Sequence, residues 1–278
     1  MRLGWFVNDL GRRELSTAMC EEGLRILRQY DSWEDILWTL QLLILQVLIQ
    51  NDSDVMAELA QQGLAIARSI GNENWEGIFL EWLGSAHLSS DMTLALQLAG
   101  EGVAILEPFA DHYGVMTGLH TISQIKERQQ DYEQAAYWNE RLWHETQLLG
   151  HIFLNARCFV AHGRICLAQK DYAGARPSLL KGLQLYWDAG YSWVAAFPLV
   201  YIVQLLAEQN ELERAVEIRA AIDAHLVGFE QSDVVAQALY DQLKAQMDPD
   251  RFAAAWSRGM KRDLGTVVYE LLADLNGG

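Results

Sequence analysis

Residues 153–190 read FLNARCFVAHGRICLAQKDYAGARPSLLKGLQLYWDAG, and this stretch decides the fold. Its apolar residues recur at the three- and four-residue spacing of an amphipathic helix. The run Lys170-Asp171-Tyr172 interrupts that pattern, and Asp188-Ala189-Gly190 ends it. Asp is typical of helix starts and Gly of helix ends. The stretch therefore predicts two antiparallel helices joined by a short turn.

The same pattern repeats along the chain with a period of about forty residues. A marker position late in each second helix recurs at steps of 40, 39, 40, 40 and 40 residues. Its occupants are Gly23, Gly63, Gly102, Leu142, Gly182 and Ile222. A fixed period of this length is typical of a solenoid, in which each unit contacts only its neighbours. Because glycine costs a helix interior about 1 kcal/mol relative to alanine, we expect close helix approaches at Gly63, Gly102 and Gly182.

The predicted architecture is an all-α solenoid of about six helical hairpins followed by capping helices. Residues 1–230 form the repeat array and residues 231–278 the C-terminal cap. The predicted units are 1–31, 32–71, 72–110, 111–150, 151–190 and 191–230. Hydrophobic residues make up 51% of the 278 residues, enough for a continuous core. No segment sustains the two-residue alternation of a strand.

Three local signals refine this pattern. The runs Asn51–Asp54 and Ser89–Asp91 contain residues that cap helix N-termini through their side chains, so we expect second helices to begin there. Pro198 falls within the first helix of the sixth unit. Because proline lacks a backbone N–H, it predicts a kink or a delayed regular start.

The repeat resembles a known family. The spacing Gly163…Asp171-Tyr172…Ala175…Gly182 is similar to the tetratricopeptide repeat, and Leu83-Gly84 matches the Leu-Gly pair of that repeat. The period departs from the family, since forty residues exceed its usual thirty-four. The resemblance implies a right-handed superhelical solenoid.

Hairpins of this length also resemble the C-terminal sensor regions of bacterial signal-transduction ATPases and of large regulators related to the maltose-regulon activator. Residues 252–260, FAAAWSRGM, look like the terminal box of such regulators, although Lys261-Arg262-Asp263 replaces their small polar cap. The resemblance implies a sensor that binds a protein, peptide or small effector and acts on a neighbouring ATPase or DNA-binding domain. The alternatives are a free-standing protein–protein scaffold and an enzyme with a site between helices.

Charge and composition limit the partners that we expect. The net charge is −16, from 37 acidic and 21 basic residues, so the surface should repel phosphate backbones. The longest apolar run, residues 42–49, is too short to span a bilayer. The three cysteines form no disulfide framework and indicate a reducing compartment. We therefore expect a cytoplasmic protein without nucleic-acid or membrane contacts.

The N-terminal end predicts a contact. The first helix begins inside its own repeat and carries Trp5 and Phe6 where an end helix needs a polar face. We expect these residues to contact a preceding domain or a second copy of the chain. In the first case the chain would be a fragment of a longer protein.

Catalytic and metal motifs are not found in the sequence. Cys158, His162 and Cys166 share one helical face, but the two cysteines would be about 12 Å apart along the axis, too far for one zinc ion. We interpret His162 and Cys166 as packing residues. Phosphate-binding loops, nucleophile elbows and metalloprotease motifs are lacking. The sequence therefore predicts no enzyme activity, no metal and no cofactor.

The candidate site is a concave groove lined by the first helix of each hairpin, the surface that solenoids use for binding. Counting from the Leu-Gly position places these polar or aromatic residues in it: Trp38, Gln41, Glu81, His120, Gln124, Arg157, Arg164, Phe197 and Gln204. We expect Arg157 and Arg164, beside His120 and Gln124, to hold an anionic group with paired hydrogen bonds. Trp38 or Phe197 would supply an apolar wall. The alternative is that both arginines pair with local carboxylates such as Glu127.

Overall fold

The computed structural model describes residues 13–30, 32–50, 52–109, 111–191, 194–225 and 234–276. Within these ranges the chain forms fourteen α-helices, one short 3₁₀ helix and no strand. The prediction of an all-α protein is therefore confirmed. Trp5 and Phe6 lie outside the described residues, so the predicted contact at that end stays a prediction.

The chain divides into two compact units, residues 1–149 and 150–278. The first contains α1 (Arg13–Leu27), α2 (Trp33–Gln50), α3 (Ser53–Ser69), α4 (Glu73–Ala86), α5 (Met92–Leu106), the 3₁₀ helix Glu107–Phe109, α6 (His112–Arg128) and α7 (Tyr132–Leu149). The second contains α8 (Ile152–Ala168), α9 (Tyr172–Asp188), α10 (Ala196–Glu208), α11 (Leu212–His225), α12 (Val234–Gln246), α13 (Pro249–Gly259) and α14 (Leu264–Asn276). The predicted boundary at 230/231 falls outside the described residues.

Helices of the first unit pack in sequence order. α2 packs on α3, α4 on α5 and α6 on α7, while α3 also packs on α4 and α5 on α6. The first helices of consecutive hairpins touch as well, because α4 contacts both α2 and α6. Phe79, Met116 and Leu119 are fully buried at these contacts. The hairpin pattern of the sequence thus becomes a continuous core within this unit.

The second unit begins with the same arrangement. α8 packs on α9, α10 on α11, and α8 also touches α10. The C-terminal helices then close the core, since α13 packs on α11 while α14 packs on α9 and α11. Leu179, Leu199 and Val268 are fully buried in this cluster.

The turns repeat at the period seen in the sequence. Gln130, Lys170 and Asn210 lie forty residues apart and have positive φ angles of 61°, 61° and 63°. Each follows a first helix, and the next residue donates its N–H back into that helix, as from Asp171 to the Cys166 oxygen at 2.8 Å. This hydrogen bond closes a left-handed helix end. Gly190, with a φ of 79°, ends the second helix of its hairpin where an L side chain would be strained.

Predicted helix boundaries agree with the observed ones. Asp52 accepts a hydrogen bond from the Val55 N–H, and Asp91 accepts from Thr93 and Leu94, so both cap their helices as expected. Pro198 occupies the first turn of α10, which begins only at Ala196. The proline therefore marks a delayed helix start, one of the two outcomes expected.

Glycines of the marker position stand at close approaches. A Cβ atom added to Gly63 would overlap the Phe79 ring, and one on Gly102 would lie 2.8 Å from the Gly77 carbonyl oxygen. Gly182 is equally confined, whereas Gly23 meets nothing within 4 Å. The prediction made for Gly63, Gly102 and Gly182 is confirmed.

Candidate anion-binding site

Arg157 and Arg164 lie on α8, in the second unit. They are seven residues apart, so they occupy one helical face together with Val160, which is 6% exposed. The helix is held in place by His151, whose side chain caps its N-terminus through the Leu154 N–H, and by close packing on α9. Both arginines are partly exposed. A rigid hairpin thus presents two guanidinium groups on one face.

Arg157 has no acidic partner among the described residues. No carboxylate of those ranges lies within ion-pair distance of its guanidinium, and no described side chain hydrogen bonds to it. Burial lowers the pKa of Arg157 below its ordinary value, and the nearby charge of Arg164 acts in the same direction. Arginine side chains are nonetheless effectively always protonated in proteins. In a chain with a net charge of −16, an arginine without a carboxylate neighbour is unexpected. For Arg157, the structure therefore disagrees with the alternative of pairing to local carboxylates.

Tyr186 of α9 lies close enough to both arginines for their charges to act on its hydroxyl. The side chain is 3% exposed, and burial raises its pKa to about 12 against the opposing effect of Arg157. The phenol is therefore protonated at neutral pH and can donate a hydrogen bond. Over the ranges that the structure describes, the hydroxyl has no hydrogen-bond partner. Buried tyrosine hydroxyls usually find one.

An aromatic cluster lies beside Arg157. Phe153 precedes Arg157 by one helical turn and so shares its face. Its ring centroid is 5.3 Å from that of Tyr186 and 5.3 Å from that of Tyr191, both in edge-to-face arrangements. Tyr191 is 36% exposed, and Phe153 is partly exposed. The charged group therefore has apolar, partly open ring surfaces next to it.

Arg164 takes a different position from Arg157. Its guanidinium carbon lies 5.4 Å from the ring centroid of Tyr201 on α10, a cation–π contact. Seven residues of helix also separate the two Cα atoms by about 10.5 Å. Arg164 therefore contributes positive charge to the face, while Arg157 and Tyr186 supply the donors at its other end.

Phe197 and Gln204 lie on α10 as expected for first-helix positions. Phe197 is 45% exposed and stands one turn before Tyr201 on the same face, and Gln204 is partly exposed. α10 packs on α8 within the second unit, and Tyr201 of α10 lies against Arg164 of α8. Their role as a wall of the site stays a prediction.

The other predicted groove residues belong to the first unit. Trp38 is 51% exposed and meets Trp75 edge to face at 5.0 Å. His120 and Gln124 are partly exposed on α6. Their predicted proximity to Arg157 involves the other unit and stays a prediction.

Gln41 and Glu81 lie inside the first unit rather than in an open groove. They are 4% and 1% exposed, and the Oε1 atom of each accepts no hydrogen bond from the described residues. Burial holds the pKa of the Glu81 carboxyl well above its usual range, and the charge of Asp111 raises it further. Contact with a ligand would require the helices around them to separate.

Three residues of the site were missed by sequence reasoning. Tyr186 and Tyr191 lie outside the first helices to which the positional count was limited. Phe153 lies on α8 but at none of the groove positions counted from the Leu-Gly pair. The aromatic positions after Gly150 and Gly190 were the available signal for Phe153 and Tyr191, whereas the sequence carries no comparable signal for Tyr186.

The three residues of the cysteine-histidine face differ in their exposure. Cys158 and Cys166 are buried, whereas His162 is exposed and its Nδ1 lies 2.9 Å from the Ser178 hydroxyl. The packing interpretation is therefore right for Cys166 and wrong for His162. Across the described residues, no group of three or more His, Cys, Asp or Glu is arranged to bind a metal ion.

A separate surface depression of about 430 Å³ lies between the start of α11 and the turn that joins α12 to α13. Its walls include Glu213 and Arg251, whose side chains are already paired at 2.6 Å. The charges of Glu213 and Arg251 in this depression therefore compensate each other, unlike the charge of Arg157.

Comparison with known proteins identifies no family. No family model matches the sequence, and a search of curated proteins finds none that is similar to it. None of the described helices is long and apolar enough to cross a bilayer.

Proposed function

We propose that this chain is a non-catalytic binding module that holds an anionic group of its ligand at Arg157. The observation that supports this function is the charged, partly buried guanidinium without a carboxylate within reach among the described residues. A buried charge is costly unless it is compensated. A bound carboxylate or phosphate would compensate it with two parallel hydrogen bonds.

In this proposal the hairpins form a right-handed superhelical solenoid of the tetratricopeptide type. The recurrence of left-handed turns every forty residues and the packing of each helix on its sequence neighbours support this architecture. The module would serve as the sensor of a bacterial, cytoplasmic signalling ATPase or transcription regulator, where ligand binding biases an attached output domain. A free-standing scaffold is the alternative, and the two differ in whether an output domain is attached.

The anion-binding proposal is tested by calorimetric titration of the full chain with sodium acetate, succinate, benzoate and inorganic phosphate. We expect at least one of them to bind, and Arg157→Gln to weaken that binding about tenfold or more, since charge-assisted hydrogen bonds contribute about 1.5–3 kcal/mol. Lys181→Gln is the matched control, because Lys181 is exposed on α9 and its ammonium contacts only Gln184, at 3.0 Å. Equal binding by a folded Arg157→Gln variant, or binding of none of the four anions, would contradict the proposal.

A further inference from the structure

We propose that the ligand of this site is a small aromatic carboxylate, held by Arg157 and the Tyr186 hydroxyl with its ring against Phe153 and Tyr191. This inference rests on the proposed function and specifies the chemistry of the same site.

The hydrogen-bond donors of Arg157 and Tyr186 favour a carboxylate as the ligand group. Arg157 offers a planar fork of N–H groups, and the protonated hydroxyl of Tyr186 offers one O–H. The described residues of this face provide no carboxylate to accept these donors. An ionised carboxylate accepts only, and its two oxygens can take the fork and the hydroxyl together. A cation or a neutral sugar would leave the guanidinium charge uncompensated.

The aromatic cluster beside these donors favours a ligand that carries an aromatic ring. The Phe153 ring meets Tyr186 and Tyr191 at 62° and 82°, so the cluster is built from edge-to-face contacts. Aromatic pairs of this kind stabilise each other beyond the contribution of the area that they bury. A further ring placed on the open side of Phe153 or Tyr191 would extend the cluster. A saturated ring of the same size would bury a similar apolar area but would lack the attraction between the edge of one aromatic ring and the face of another.

The charge of the chain favours a small monoanion over an acidic peptide. With a net charge of −16, the protein repels polyanions as they approach. Arg157 provides one cation on the same helical face as Phe153, and Arg164 stands about 10.5 Å further along the helix, over the ring of Tyr201. One carboxylate matches the Arg157 guanidinium, whereas an acidic segment would bring more negative charges than the two guanidinium groups of this face could compensate.

The test follows the ¹⁹F line width of 4-fluorobenzoate in the presence of the full chain. Tyr186→Phe removes the hydroxyl and keeps the ring, and we expect it to raise the dissociation constant about tenfold. Tyr172→Phe is the matched control, because that hydroxyl donates instead to an exposed carboxylate, Glu208, at 3.2 Å. Tyr172→Phe should bind 4-fluorobenzoate as the parent does.

Competition with unlabelled acids tests the class of ligand. Benzoate should displace 4-fluorobenzoate about three- to tenfold more effectively than cyclohexanecarboxylate, as the aromatic contribution implies. Equal displacement, stronger displacement by hexaglutamate, or unchanged binding by Tyr186→Phe would overturn the inference. If those results appear while Arg157→Gln still weakens anion binding, the proposed function stands and only the aromatic class fails. If Arg157→Gln has no effect either, both fail.

Discussion

A Cβ atom on Gly182 of α9 would lie 2.6 Å from Cγ2 of Val160 on α8 and 3.1 Å from the Ala156 carbonyl oxygen. Glycine is therefore the residue that lets the two helices of this hairpin meet. Val160 stands between Arg157 and Arg164 on the same helix, so this contact also positions the face that carries both arginines.

Replacing Gly182 with leucine should overpack the hairpin. We expect the free energy of unfolding to fall by about 1–3 kcal/mol, because a larger side chain would force α8 and α9 apart. Chemical denaturation monitored by circular dichroism measures the change. Gly100→Leu is the control, since a Cβ at Gly100, within α5, meets nothing within 4 Å. That variant should be as stable as the parent or more so, by about 0.5–1 kcal/mol. Equal stability of Gly182→Leu and the parent would show that the helices are not held this closely.

The sequence predicts the secondary-structure elements of this fold more accurately than it predicts the exposure of single residues. Helices, caps and close glycines follow from local periodicity and from residue chemistry, and these were predicted correctly. Gln41 and Glu81 were expected in an open groove because they occupy first-helix positions. In the structure those positions are enclosed where the first helices of neighbouring hairpins touch, so a polar residue there does not indicate exposure.

The site could be predicted only in part for a similar reason. Arg157 stands out from the sequence as a basic residue in an acidic chain. Tyr186 does not, because its role depends on the end of α9 lying against the start of α8. That relation is tertiary, and the period of the repeat does not encode which side chains meet across the hairpin.

Glu81 should make the stability of the protein depend on pH. Its carboxyl oxygen Oε1 is confined near Gly118, where an added Cβ would overlap it, and burial raises its pKa in the folded state. The unfolded chain then loses this proton at a lower pH than the folded chain does. The contribution of Glu81 to stability is therefore fully present below about pH 4.5, the ordinary pKa of the group, and is lost as pH rises through the folded-state pKa.

The corresponding variant, Glu81→Gln, should be more stable than the parent at pH 7, because it removes the cost of keeping a carboxyl protonated in the core. The gain should shrink as the pH is lowered to 4.5. Urea denaturation between pH 4.5 and 8 measures both effects, with the exposed Glu101→Gln on α5 as the control. A difference between Glu81→Gln and the parent that does not change with pH would mean that the Glu81 carboxyl is ionised in the folded protein.

A network of ion pairs should fasten α13 to α11. Glu213 pairs with Arg251 at 2.6 Å and with Arg258 at 3.2 Å, and Glu217 pairs with Arg258 at 2.7 Å. The side chains of Glu213, Arg251 and Arg258 are exposed, so salt should screen their attraction. We expect 1 M NaCl to speed hydrogen exchange of the α13 amides in the parent and to have little effect in the double variant Glu213→Gln/Glu217→Gln. An equal response to salt in both proteins would show that apolar packing alone holds α13.

The same network of ion pairs should weaken at low pH. Hydrogen bonding from Arg251 and the charges of Arg251 and Arg258 lower the pKa of Glu213 in the folded protein. Its contribution to stability is therefore present above the unfolded-state pKa and is lost as pH falls through the folded-state value. Exchange of the α13 amides, corrected for the intrinsic effect of pH, should accelerate in the parent as pH falls below 4.5, the ordinary pKa of the group. A corrected rate that is constant down to pH 3 would contradict this.

The most direct measurement is a crystal structure of the full chain grown with 4-bromobenzoate, with diffraction recorded at the bromine absorption edge. We expect an anomalous peak beside Phe153 and Tyr191, with the carboxylate hydrogen bonded to the Arg157 guanidinium and the Tyr186 hydroxyl. Bromine bound elsewhere, or an Arg157 that contacts no ligand at saturating 4-bromobenzoate, would contradict it.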